Sequence, residues 1–500
     1  MSVDARPRSL WHMTSSDIPV DSALPPQADV LIAGAGLTGL ATALMLARTG
    51  RRVVVAEARS VGAVTTGHTT GKLSLLQGTV VGELRERGGD AAAAAYVAAN
   101  RDAQEWLVGT TEQDPRLIRH DTAWTYAHTP GGRELLAREA AAMASAGAPV
   151  RELGPDEVPL PFEVTGAVSL GDQWRLHPVR VLALLAERLR ELGGVIVEDC
   201  RVTGVDVDTA QATVTTTRGV VSCERLVLAT GVPALDRSFF FAAVTPSRSL
   251  VGAYALPDVT MLPEGMYVAV DEPQHSLRVA EGPDGQDVLL VGSPSFTPGR
   301  DTSTATLLAD VDEWTAQTFP GAQRVTWWGA QDYRPASGAP YVGALPGFGG
   351  RVCAATGYNK WGMTNAVAAA LALAHDATGD ALDRVETGAS HTARDVLSSN
   401  AAVAAQLFGG WMRAVAQPEQ EQPREGAGAV GRSGVRPVAA STIDGSTCRL
   451  SAVCTHLGGI VQWNDAERSW DCPLHGSRFA PDGSVLEGPA VRPLPPADAR

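Results

Sequence analysis

An α/β fold is predicted here: a parallel sheet with an inserted α+β part, joined to a separate small module at the C-terminus. Three observations carry that expectation. Residues 29–57 run from an apolar strand through a glycine turn and a helix to a second apolar strand. Residues 417–434 are charged, Pro/Gly-rich and aperiodic, the composition of a linker. Beyond them, cysteine and histidine recur in two short, similar loops.

The elements follow in order. DVLIAGAG at 29–36 enters a glycine turn, and LTGLATALMLARTG at 37–50 has helical period with Gly50 placed to end it. RRVVVAEA then forms a strand ending near Glu57, completing a βαβ unit. An alanine-rich stretch predicts a helix over about 90–107, and another amphipathic helix is expected at 178–193. VIVEDCRVTGVDV and QATVTTTRGVVSCERLVLATG read as strands returning to the nucleotide-binding sheet. Residues 245–345 alternate β-like runs with Gly/Pro turns, suiting a substrate-side sheet, and 361–379 predict a helix. No internal repeat is visible.

Five hundred residues exceed one compact core. The net charge of −14, with no basic stripe, argues against a nucleic-acid partner. No apolar run is long enough for a membrane span, and residues 1–22 lack the basic and apolar regions of a secretory signal. The cytoplasm is the expected compartment. Six cysteines make no disulfide framework. Cys200, Cys223, Cys353 and Cys448 are expected to be structural thiols.

The remaining cysteines carry chemistry. Cys454-Thr-His456 is followed by fifteen residues and then Cys472-Pro-Leu-His475. Each half supplies one thiolate and one imidazole, as a Rieske-type [2Fe–2S] cluster requires, with cysteines on one iron and histidines on the other. A zinc site of the same composition usually pairs cysteine with cysteine and histidine with histidine. The sequences CTHLGG and CPLHGS resemble the two cluster loops of Rieske ferredoxin domains. That resemblance places Ser477 as a donor to a cluster sulfide. High-potential respiratory members have a disulfide-bonded cysteine in each loop and a tyrosine donating to a ligand sulfur. Here those places hold Gly459, Leu474 and Phe479, so a potential below theirs is expected.

At the other end, Gly34-Ala35-Gly36-Leu37-Thr38-Gly39 satisfies GxGxxG between a strand and a helix, with Glu57 21 residues after Gly36. Gly34 allows the tight turn, Gly36 lets backbone approach a pyrophosphate, Gly39 permits close packing, and Glu57 can bond a ribose hydroxyl. Helix N–H groups then face the phosphates. No second such motif follows a strand, so a separate NAD(P)H domain is not expected.

Residues 28–385 resemble the D-amino-acid oxidase superfamily of flavoproteins, which includes glycine and sarcosine oxidases. The resemblance rests on the fingerprint together with GHTTGK at 67–72, LVLATG at 226–231 and ATGYNKWGMTNA at 354–365. It implies an FAD site drawing also on Ala58, Thr66, His68, Thr69, Thr70, Val202, Thr230, Gly231, Gly357, Gly362, Met363 and Thr364. A histidine in a context like that of His68 is bonded covalently to flavin in related dehydrogenases, so His68 is expected to touch FAD, with covalency open. The combination with a Rieske tail resembles a bacterial group of fused oxidoreductases.

The full expectation is an α/β FAD-binding Rossmann-like domain with an inserted α+β substrate domain, plus a small all-β Rieske domain. Residues 1–27 form an extension, 28–385 the flavoprotein with substrate parts at about 90–175 and 240–345, 386–433 a helical segment and linker, and 434–500 the Rieske domain. The expected function is oxidation of the C–N bond of a small amine or amino-acid-like substrate. Electrons pass from flavin to cluster to an external acceptor, and a dehydrogenase is favoured over an oxidase. The alternative is an electron-supply or reductase/hydroxylase component, reduced through its cluster by a donor protein. Arg278, Tyr333 and Lys360 are the preferred catalytic residues. Arg248, Arg334, His275 and Asn359 are further candidates, and His177 is read as structural. A Rieske non-haem oxygenase is disfavoured because no D-x₂-H-x₄-H run supplies its iron site.

Overall fold

Strand Gln27–Ala33 is apolar and buried at nearly every position, as a strand covered on both faces must be. It pairs in parallel with Val53–Ala56 on one side and Gly219–Leu228 on the other. The sheet order is Tyr341–Ala344, Val352–Thr356, Gly219–Leu228, Gln27–Ala33, Val53–Ala56, Val195–Val197, with two further antiparallel strands at 202–207 and 212–216. Helix Leu37–Arg48 packs against Pro178–Glu191 and Gly362–Thr378. The computed structural model describes residues 7–233, 235, 243–300, 303–378, 410–412, 414 and 418–498.

A second, nine-stranded sheet draws strands Ile118–Ala127 and Gly166–Leu176 together with five from 244–335. The two stretches expected on the substrate side thus share one sheet. The alanine-rich helix is longer than the sequence suggests: it runs Val80–Thr111, with a break at Gly89, whose φ is 76°. The early turns are held by Glu139, whose carboxylate accepts from the N–H groups of Val81 and Gly82 at 3.3 and 2.6 Å. That long-range cap is invisible locally, and the Gly88-Gly89 pair reads as a stop.

The C-terminal domain consists of a three-stranded and a four-stranded antiparallel sheet. Its first strand, Gly428–Ser433, lies inside the stretch expected to be a linker, and it pairs along its whole length with Arg436–Ile443. The glycines there serve packing. A Cβ on Gly431 would meet Pro418 O at 2.5 Å, and one on Gly428 would meet the Trp463 ring at 2.4 Å. Of the helical segment and linker expected at 386–433, residues 386–409 lie outside the described residues. Among the described residues, no helix is long and apolar enough to cross a membrane.

Candidate active site and cluster loops

The glycine turn is sterically closed to other residues. Gly34 has φ 105°, and a Cβ there would meet Ala229 O at 2.5 Å; one on Gly39 would meet Gly34 O at 1.9 Å. Glu57 accepts from Ala35 N at 2.7 Å and Arg59 N at 2.9 Å. Burial pushes the Glu57 carboxyl up, opposed by those N–H groups. Each oxygen keeps a second lone pair, so an outside hydroxyl can still be accepted. Leu37 N, at the helix start, donates to Thr66 Oγ1 at 3.1 Å.

A cavity of about 760 Å³ opens over this turn. Gly34, Gly36, Leu37, Thr38, Glu57 and Ala58 line it, as do Thr66, His68, Thr69 and Thr70 of the following loop. Val202, Thr230, Gly231, Gly362 and Met363 complete the group expected there. Four expected contacts stand behind the wall. Ala35 is committed to Glu57, and Gly39 packs on the Gly34 carbonyl. Gly357 turns at φ 81° against Pro335. Thr364 Oγ1 accepts from Gln77 Nε2 at 2.8 Å. Arg59, Arg201, Lys72 and Gln331 line the cavity without having been expected. Charge beside an apolar strand end is the one local signal for the three cations, and Gln331 has none.

His68 Nδ1 lies 2.8 Å from Val64 O, which fixes the proton on that nitrogen. The N-terminal extension holds this loop: Ser9 Oγ donates to Gly67 O at 2.6 Å and Trp11 Nε1 to Thr69 O at 2.7 Å. The His12 and His68 ring centroids are 5.4 Å apart.

The substrate-side candidates separate cleanly. Arg278 is buried away from the cavity, and its guanidinium donates to the carbonyls of Gly71 (2.7 Å), Val279 (3.2 Å) and Leu176 (3.3 Å) over the Trp11 ring. Burial pushes it down to about 9. Its donors are consumed by backbone, so the expectation that it anchors substrate is corrected. Arg248 is likewise buried, donating to Glu467 at 2.6 Å and Glu487 at 3.2 Å across the domain boundary. His275 stacks on Trp314 at 4.2 Å, and His177 caps its helix by accepting from Arg180 N at 3.2 Å.

Tyr333, Arg334, Asn359 and Lys360 do line the cavity. Lys360 Nζ donates to the hydroxyls of Ser249 (2.6 Å) and Ser295. Burial and then the Arg334 charge push Lys360 down to about 8. Asn359 and Lys360 both have positive φ, 48° and 72°. Two non-glycine residues in that region cost on the order of 1 kcal/mol each or more, and such strain persists only where the surroundings fix it. Here Asn359 N donates to Tyr333 O at 3.1 Å and Lys360 N to the Asp332 carboxylate.

In the C-terminal domain the two expected loops meet. The Cys454 and Cys472 thiols are within hydrogen-bonding reach of one another. The His456 and His475 ring centroids stand 5.2 Å apart at 89°. A thiol pair beside an imidazole pair offers two ligands to each of two irons. Among the described residues, no group of three His, Cys, Asp or Glu converges as a single-metal site does. Ser477 Oγ accepts from Ala490 N at 3.0 Å beside the thiols. Gly459 and Leu474 touch: a Cβ on Gly459 would meet Leu474 Cδ1 at 2.8 Å and Cys472 Sγ at 2.9 Å. The other thiols carry no such partnership; burial pushes Cys223 up to about 11 and Cys353 up to about 12.

The cluster loop faces the cavity. Gln331 Nε2 donates to Gly476 O at 2.9 Å and to the Tyr333 hydroxyl at 3.0 Å. Leu486, Glu487, Gly488, Ala490 and Val491 of the C-terminal domain line the same cavity as the glycine turn.

Comparison with known proteins agrees with this architecture. Residues 29–375 match the family model of FAD dependent oxidoreductases (DAO), and residues 412–497 match the Rieske [2Fe-2S] domain. The chain is 30% identical over 510 residues to the putative Rieske 2Fe-2S iron-sulfur protein YhfW of Bacillus subtilis, covering 98% of both chains. Its C-terminal part is 56% identical over 54 residues to the chloroplastic cytochrome b6-f complex iron-sulfur subunit of Bigelowiella natans, covering 10% of this chain and 21% of that protein. Two solved structures share the fold at TM-score 0.61. One is L-proline dehydrogenase from P. horikoshii, at 18% identity over 73% of this chain and 96% of that one. The other is glycine oxidase from Geobacillus kaustophilus, at 19% identity over 72% and 96%. The chain therefore belongs to the DAO family of FAD-dependent oxidoreductases, which binds FAD, and carries at its C-terminus a Rieske domain, which binds a [2Fe–2S] cluster.

Proposed function

We propose that this oxidoreductase oxidises the C–N bond of a small amine or amino-acid-like substrate and passes the electrons through its Rieske cluster to an external acceptor, as a dehydrogenase. One observation carries the reading: residues of the Rieske domain form a wall of the same cavity as the nucleotide fingerprint. The two structural relatives named above support the substrate class, since one is an L-proline dehydrogenase and the other a glycine oxidase.

When bound, FAD supplies a two-electron hydride acceptor and the cluster a one-electron carrier. The chain's own residues position and enclose the substrate. Arg334 reaches the cavity, and among the described residues its guanidinium makes no ion pair or hydrogen bond, leaving a fork for a substrate carboxylate. Lys360 stands beside it, oriented by the two serine hydroxyls. The Tyr333 hydroxyl accepts from Gln331 and keeps its own proton, since burial pushes the phenol well above its ordinary range. Val251, Trp361 and Met363 supply apolar wall that excludes water. Asp332 is pushed up to about 6 by burial; it holds the Asn359–Lys360 turn by accepting from Lys360 N.

An anaerobic screen of amines and amino acids against the holoenzyme tests the reading. Bleaching of the flavin band, followed by the cluster's reduced spectrum, is expected with at least one of them. Reduction only by an electron-donor protein, with every amine inert, would instead favour an electron-supply role.

A further inference from the structure

The strand Val485–Glu487 and the turn after it lie against the nucleotide-binding domain. Arg201 donates to Val485 O at 3.1 Å, and Arg59 donates to Leu486 O at 3.3 Å. Both arginines adjoin the acid of the fingerprint: Arg59 N donates to Glu57 Oε1 at 2.9 Å, and the Glu57 charge acts on Arg201. Glu57, Val202 and the first glycines mark the end of the cradle that takes the adenosine half of a dinucleotide. Leu486, Gly488, Ala490 and Val491 line the same cavity, running from Arg59 towards Tyr333, whose hydroxyl faces Gly488 O at 3.5 Å. Cationic side chains beside a nucleotide acid would ordinarily be free for solvent or phosphate; here two of them reach carbonyls of another domain.

We propose that the FAD site is built by both domains: segment 485–491 of the Rieske domain closes the cradle, with Val485 and Leu486 at its adenosine end, so FAD binding and Rieske docking stabilise each other. The coupling is reciprocal by linkage. FAD held in the cradle buries the underside of 485–491, and the docked domain blocks the path by which FAD leaves. The docked position has its own anchors away from the cavity. Arg248 pairs with Glu467 at 2.6 Å, and Asp465 accepts from Ser303 Oγ at 2.7 Å, Thr304 Oγ1 at 2.6 Å and Ala305 N at 2.9 Å. The inference rests on the family's FAD binding and is independent of the direction of electron flow.

Hydrogen–deuterium exchange on the full chain, stripped of FAD and reloaded, tests it. Amides in 485–491 are expected to exchange about tenfold more slowly with FAD bound, while strand Arg436–Ile443, remote from the cavity, stays unchanged. A second measurement uses Asp465→Asn combined with Glu467→Gln, neither of which lines the cavity. FAD release from this variant is expected to be about tenfold faster, with the cluster's EPR spectrum unaltered. Exchange at 485–491 that is the same with and without FAD would overturn the proposal. So would a variant that exposes this segment yet releases FAD at the native rate.

Discussion

Gln331 Nε2 donates to the carbonyl of Gly476 at 2.9 Å, and Gly476 directly follows His475. The same amino group reaches the Tyr333 hydroxyl at 3.0 Å, so one buried amide joins the cluster loop to the cavity wall. Because Gly476 O can only accept, the amide orientation is fixed, and among the described residues its Oε1 has no donor.

Gln331→Leu is therefore expected to slow transfer between the two centres more than it slows flavin reduction by substrate. Loss of such an outer partner typically costs about 10- to 100-fold. The Gly476 carbonyl left unsatisfied also destabilises the interface by about 1–3 kcal/mol. Stopped-flow absorbance resolves the two steps, and melting curves read the second effect.

Arg334 and Arg278 should respond oppositely. Arg334→Met is expected to raise KM for a carboxylate substrate by roughly 30- to 150-fold, matching loss of one or two charge-assisted hydrogen bonds worth about 2–3 kcal/mol, with a smaller effect on kcat. Arg278→Lys should leave KM nearly unchanged and lower the melting temperature, because three backbone carbonyls lose their donors. Steady-state kinetics beside calorimetry distinguishes the two.

Much of this site was legible in the sequence, and the part that was not has a common cause. The fingerprint, the acid and the late glycine loop are local patterns whose spacing encodes their geometry, and they converge on one cavity. Arg278 reads as an anchor because nothing local shows that Gly71 and Leu176 present carbonyls to it from distant segments. Arg59, Arg201 and Gln331 were missed for the same reason: their partners lie 427, 284 and 145 residues away in the chain. The strand at 428–433 was hidden by glycines that answer to Trp463 and Pro418, not to flexibility.

Phe479 is fully buried in the cluster of side chains that includes Cys454 and Cys472. Phe479→Tyr adds a donor beside the ligand sulfurs, which favours the reduced cluster. The midpoint potential is expected to rise by roughly tens of millivolts, within the Rieske span of about −150 to +300 mV. A spectroelectrochemical titration of native and variant protein gives the sign.

Acid should destabilise the protein in two stages. Burial and then the Arg180 charge push His177 from 6.5 down to about 3. A folded value below the unfolded one means its stabilisation is complete above about pH 6.5 and is lost as pH falls towards 3. Burial opposes ionisation of Glu467, but Arg248 and Arg478 outweigh it and hold the carboxyl down to about 2 from 4.5. That contribution is complete above about pH 4.5 and fades towards 2. Each group gives a slope of at most about 1.4 kcal/mol per pH unit. In a melting series from pH 8 to 3, His177→Asn should shrink the first stage without abolishing it, since burial also pushes His68 down to about 3.

The central claim is that substrate electrons cross from the flavin to the cluster within one polypeptide. Rapid-freeze EPR after anaerobic mixing of holoenzyme with a bleaching amine measures this directly. The account predicts that the reduced-cluster signal grows after the flavin band falls, at a rate independent of protein concentration. A cluster that stays oxidised while the flavin is fully reduced would contradict it.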